Sequence, residues 1–418
     1  MSRKSQLAVL IIAVLMLSGL MLRGRIKLAA PPTRVDGRTA ATDPYPASAA
    51  APHPAAAQEP GADALKPAVD ARGRAAICGF PKAPVDTHDP IAVTQFVGVV
   101  SEKAGARWLA ALQDSDDLRA RASGLLLEGK LTGAQQMQLT TEQTRDAFVQ
   151  LAAGAQDPAV YAMAVNMCGA DTMTPMHGAC DQISLRSWAQ MDPGNAIPWL
   201  LLAGKARASH DAAAESDAFS RAANADKVDS FNDSLYAFSE AEIPSDTTPL
   251  EQFYLASQVI GIESATRANQ YTVASKHCST DAVRDPTVRG QCNALAELLV
   301  AKGTTLLDFA IGIRIGARTG WSNERVNDLT QQKNALMQAG IQSTPTSNDE
   351  LWTCEGVRLG NAYMLQRARL GELGAVRAAL EHSGQTVQEL AQAHTAFMDR
   401  ILRDAAQRER EKPSESEP

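Results

Sequence analysis

The densest concentration of ligating side chains lies in AMAVNMCGADTMTPMHGAC, where Met163, Met167, Met173, Met176 and His177 surround Cys168 and Cys180. Soft thioethers and an imidazole select Cu(I) over harder ions. Met163 and Met167 are four residues apart and share one face of a helix. Met173, Met176 and His177 fall in the loop bounded by the two cysteines. A copper-binding envelope protein is therefore one function to test. Against it, methionine at helical spacing is ordinary core filler, and a disulfide closing the loop accounts for the cysteines without a metal.

The remaining histidines are scattered. His277 precedes Cys278 and would lower a thiol pKa there, unless that sulfur is already in a disulfide. His394 falls on the apolar face of the last helix and reads as a core residue. His88 adjoins Asp86 and Asp89 near a helix start, His210 falls in a bend between two helices, His382 ends a helix, and His53 stands in Pro-His-Pro. No G-x-S-x-G, S-x-x-K, H-E-x-x-H or P-loop pattern occurs. Asp116/Asp117 and Asp349/Glu350 stand at expected helix starts, where the helix dipole favours carboxylates. A cell-wall-active glycosidase could draw its two acids from distant positions, and no feature singles out such a pair. Neither a catalytic residue nor a cofactor is assigned. The net charge of −7 argues against nucleic acid as a partner.

Six cysteines, an even number with no C-x-x-C, favour disulfides over a zinc ribbon or a redox motif. Of the 15 possible pairings, the expected one joins the two local pairs, Cys168 with Cys180 and Cys278 with Cys292. Cys78 and Cys354 then pair by elimination. Such bonds persist in oxidising compartments.

The elements that hold these residues begin with a membrane segment. Leu7–Leu22 is almost wholly apolar, and with Ser5 and Gln6 it spans 18 residues, about 27 Å of helix. Arg3 and Lys4 precede it; Arg23, Arg25 and Lys27 follow it, with no A-x-A site directly behind. This favours an uncleaved signal anchor over a cleaved peptide. The flanking charges nearly tie on orientation, and the cysteines place the large C-terminal part outside the cytosol. The expected setting is a bacterial inner membrane, crossed once through residues 5–22, with the folded domain in the periplasm. Residues 29–75 are rich in Ala and Pro with the single aromatic Tyr45, the composition of a disordered tether.

Beyond the tether the pattern is helical. Asp-Pro at 89–90, 157–158, 192–193 and 285–286 suits an N-cap followed by a first helical residue. Capping boxes are expected at Ser347/Glu350 and Thr386/Glu389. Val387, Leu390, Ala391, His394, Phe397, Met398 and Ile401 trace one face of a final helix. Thr304–Gly316 reads as a buried helix, with Gly312 and Gly316 admitting a close neighbour. Sheet content should be small or nil. Alanine abundance with only 5% aromatics suits closely packed helices.

One stretch, MDPGNAIPWLLLAGKARASHDAAAESDAFSRAANAD, resembles a tetratricopeptide repeat over about residues 192–226. Trp199, Leu202 and Ala203 match the W-x2-L-G signature with Ala for Gly, and Phe219 and Ala222 fall at the packing positions of the second helix. Ala206 stands where the family has tyrosine, and Glu215 where it has a small residue. Related starts at Asp157, Asp192 and Asp226 are 35 and 34 residues apart. The resemblance implies stacked helical hairpins with a concave surface that binds proteins or peptides. The expected architecture is all-α: a signal-anchor segment at 1–28, a tether at 29–75, a helical-repeat region at 76–244, a helical region at 245–408 and a tail at 409–418. The expected function is a membrane-tethered scaffold or adaptor whose partners are other envelope proteins or peptides.

Overall fold

A computed structural model describes residues 75–85, 90–128, 142–170, 176–231, 234–264, 269–344 and 352–410. The expected anchor at 5–22, the tether before residue 75, Ser347/Glu350 and the tail from 411 lie outside these residues. Among the described residues no helix is long and apolar enough to cross a membrane.

Among the described residues the fold is all-α apart from one short antiparallel hairpin, β1 (Ala75–Ile77) and β2 (Phe80–Val85). Fifteen α-helices follow among the described residues. The first group is α1 (Pro90–Asp114), α2 (Leu118–Leu127), α3 (Glu142–Gly154), α4 (Pro158–Cys168) and α5 (Leu185–Met191). The next is α6 (Ala196–Ala208), α7 (Ala212–Ala223), α8 (Leu235–Ser239), α9 (Pro249–Ser264) and α10 (Asn269–His277). The last is α11 (Pro286–Lys302), α12 (Leu306–Thr319), α13 (Asn323–Gln342), α14 (Cys354–His382) and α15 (Val387–Arg410).

Local chemistry starts these helices. Asp157 accepts from the amides of Ala159 and Val160, Asp285 from those of Thr287 and Val288, and a proline follows each at the first helical position. These carboxylates occupy donors that no helical carbonyl can reach. Thr386 and Glu389 exchange bonds reciprocally at the start of α15, in the expected box. Asp192-Pro193 behaves differently from expectation: Asp192 ends α5, and Asn195 caps α6. The Asp192 carboxylate is engaged instead by the Asn195 amide at 3.0 Å and by Lys227 at 3.0 Å. Nor does a helix start at Asp226. Its amide and that of Lys227 bond back to Gly194, and residues 224–231 form no helix.

The largest apolar core runs from Ala104 to Ile315, crossing position 244 without interruption. Trp108, Phe148, Phe219 and Leu200 fill it between fully buried alanines such as Ala122, Ala152 and Ala162. Small side chains let helices approach closely enough for few aromatics to suffice. Glycine has the same effect at Gly312, where an added methyl would lie 2.8 Å from Val300 and 3.0 Å from the Ala296 carbonyl of α11. Trp321 covers Gly316 in the same way. The helix α12 is buried through Phe309, Ile313 and Ile315, and its Asp308 closes a capping box with Thr305. The predicted face of α15 is the one turned inward: Leu390, Ala391 and His394 are buried, while Phe397, Met398 and Ile401 are half-buried.

All six cysteines are bonded, as Cys168–Cys180, Cys278–Cys292 and Cys78–Cys354. The third ties the hairpin to the first residue of α14, beside a satellite cluster of Ile77, Leu250, Phe253, Trp352 and Val357. A backbone bond from the Cys78 amide to the Trp352 carbonyl accompanies it at 3.0 Å.

Candidate functional site

Helices α6 and α7 form an antiparallel hairpin. Ala203, Phe219 and Ala222, three of the five positions marked by the repeat resemblance, are fully buried. The remaining two, Trp199 and Leu202, are half-buried and pack against the edge of the core. They also lie along an open groove of about 680 Å³ between α5, α6 and α7. The reason is helical phase. Trp199, Leu202, Ala206 and Ser209 recur at intervals of three and four and make one stripe, which faces the groove. Leu200, Leu201 and Ala203 point the other way into the core.

The indole of Trp199 is held in place rather than loose. Its N–H donates to the Pro193 carbonyl at 2.9 Å, and the Arg221 guanidinium lies 4.9 Å from the ring centroid. Arg221 in turn binds Asp217 at 3.0 Å. Asp211, at the mouth of the groove, accepts from the Ala214 amide at 3.0 Å as the N-cap of α7. Arg186 from α5 and Lys205 from α6 complete the charged rim.

The far side of the hairpin is closed. Gly204 leaves room for Val273 of α10. Beside it Glu215 of α7 joins Arg207 of α6 to His277 of α10: the Arg207 Nε–H donates to Glu215 at 2.9 Å, and His277 Nδ1 lies 2.9 Å from the same oxygen. The imidazole stacks on Phe219 with centroids 3.7 Å apart. Burial acts to raise the Glu215 pKa, but the bonds from Arg207 and His277 outweigh it and hold the carboxylate below its ordinary range. Glu215, out of place for the repeat signature, is thus the link between the hairpin and α10. His277 serves in this link, and its neighbour Cys278 is in a disulfide.

The expected copper ligands are distributed between interior and surface. Met163 is buried in the main core and Met167 packs against it. Met176 is exposed, and His177, 84% exposed at its side chain, pairs with Asp181 at 3.2 Å. Met173 lies outside the described residues. Among those residues no group of three His, Cys, Asp or Glu side chains is placed to hold a metal ion. His210 sits in the bend between α6 and α7 with a φ of 60°, and His382 ends α14.

The rim residues Arg186, Lys205, Asp217 and Arg221 were not singled out by sequence reasoning. The helical spacing of Asp211, Ala214, Asp217 and Arg221 carried the signal, since it places them on one face of α7. Arg186 had no such signal, because its part in the groove depends on how α5 docks. Compared with protein-family models, with curated proteins and with solved structures, the chain matches none.

Proposed function

We propose that this chain is a membrane-tethered helical scaffold that binds other cell-envelope proteins through the groove between α5, α6 and α7. The observation that carries this reading is the groove itself: a tryptophan and a leucine held half-open to solvent on a helical hairpin. Half-exposed aromatics framed by charged side chains are the usual anchors of protein interfaces. The α6–α7 hairpin, with Ala203, Phe219 and Ala222 closed between its helices, is what a tetratricopeptide-like unit would present. Three disulfides support a domain in an oxidising compartment. Anchorage through residues 5–22 and a tether at 29–75 would hold the groove near membrane partners and raise its effective concentration there.

Site-specific photo-crosslinking in native membranes tests the reading. A photoreactive residue at Ser209, on the groove, is expected to capture discrete envelope proteins; one at exposed Glu324 on α13 is expected not to. Equal patterns from both positions, or none from Ser209, would overturn the binding role. Compartment is tested separately by thiol alkylation of the full chain in those membranes. Six cysteines that react only after reduction support the periplasmic placement, and six reactive without reduction overturn it.

A further inference from the structure

The charges around the groove are unequally committed. Both acids are engaged within the fold, Asp211 by the Ala214 amide and Asp217 by Arg221. Arg221 is engaged too, by Asp217 and by the face of Trp199. Arg186 and Lys205 are exposed, and among the described residues neither side chain has a hydrogen bond or an ion-pair partner. The surplus left for a ligand is therefore positive, in a chain whose net charge is −7. These two cations come from different helices and line the same groove as the apolar stripe of Trp199, Leu202 and Ala206.

We propose that the groove takes an extended protein segment bearing an acidic side chain next to an apolar or aromatic one. This deepens the scaffold reading and rests on it. The apolar residue would lie on Trp199 and Leu202, where burying its surface supplies the attraction. The carboxylate would pair with Arg186 or Lys205, and the two cations would repel a basic segment. A segment with the apolar residue alone lacks the second contact. One with acidic residues alone cannot cover the stripe.

A randomised octapeptide library displayed on phage tests the chemistry directly. It would be selected against the full-length detergent-solubilised protein and against R186E/K205E and W199A variants, each first shown to keep the parent's circular dichroism. The expected result is enrichment of Asp or Glu within two positions of Leu, Phe, Trp or Tyr on the parent protein. Resynthesised winners should bind R186E/K205E about tenfold or more weakly, bind W199A more weakly as well, and lose affinity as salt rises. Basic or uncharged winners, or acidic winners that bind the R186E/K205E variant equally well, would overturn the proposal. So would no enrichment together with R186/K205-dependent binding to anionic phosphatidylglycerol vesicles, which would make the groove a lipid contact. The two levels fail separately. Crosslinks from Ser209 with non-acidic winners leave the scaffold standing and remove the acidic partner; absence of crosslinks from Ser209 removes the scaffold itself.

Discussion

His394 is 5% exposed on α15, and its Nδ1 is buried without a hydrogen bond. Burial, reinforced by Lys333 of α13, holds its pKa below the ordinary value. An unfolded chain then binds the proton more readily, near its usual pKa of about 6.5. Stability from this residue is complete above that value and is lost as pH falls through it towards the folded-state pKa. Thermal unfolding of the parent should therefore show a larger drop between pH 8 and pH 5 than that of His394→Leu; equal drops would mean that the imidazole does not contribute to the pH dependence of stability. Trp199 gives a second residue-scale test. Truncating a fully buried tryptophan costs about 3–5 kcal/mol. Half-buried Trp199 should cost roughly half as much on change to Ala, and Trp188, 1% exposed, the full amount. Urea titration of the two variants checks the order, and a cost for Trp199→Ala equal to that for Trp188→Ala would make it a core residue after all.

Among the elements, the seam between α11 and α12 depends on glycine. At Gly312→Ala the new methyl would press on Val300 and on the Ala296 carbonyl, and the backbone atom cannot rotate away. Overpacking of this kind destabilises by about 1–3 kcal/mol, readable as a lowered urea midpoint with an unchanged m-value. The link between α7 and α10 should respond to Glu215→Ala. Arg207 and His277 would lose their shared acceptor, at about 2 kcal/mol for bonds to a charged group, and faster amide exchange in α10 would report it. Much of this scale was legible in the sequence, because it is governed by neighbours in the chain. Asp157 and Asp285 cap their helices, Thr386 with Glu389 forms its box, and the inward face of α15 follows its periodicity. What was not legible depends on distant partners. Asp192 is recruited by Lys227, from beyond the next helical hairpin, and so ends a helix instead of starting one. Trp199 matched a core signature, yet the docking of α5 leaves it on a groove wall. The sharp turn inside α14 at Gly371, with a φ of 69°, was likewise not marked by any local pattern distinguishing it from other glycines.

For the whole molecule, the bond with the longest reach is Cys78–Cys354, whose partners are 276 residues apart in sequence. Closing so large a loop restricts the unfolded chain, and the loop-entropy account gives up to ~5 kcal/mol for such a bond. Cys78→Ser/Cys354→Ser is expected to lower the global unfolding temperature while leaving the α6–α7 hairpin folded below the transition. Hydrogen exchange resolved by segment checks both parts, and unchanged melting would show that the satellite cluster around Trp352 holds the hairpin unaided. The same bond has a mechanical meaning. Tension arriving along the chain at residue 75 would, without it, unzip β1 and β2 and then peel α1 away turn by turn. With it, the load divides at Cys78, and part passes covalently into the first residue of α14, a helix that lies against α9 and α13. The helices between Cys78 and Cys354 lie within one covalently closed loop, so a pull entering at residue 75 reaches them at both ends at once and not at α1 alone.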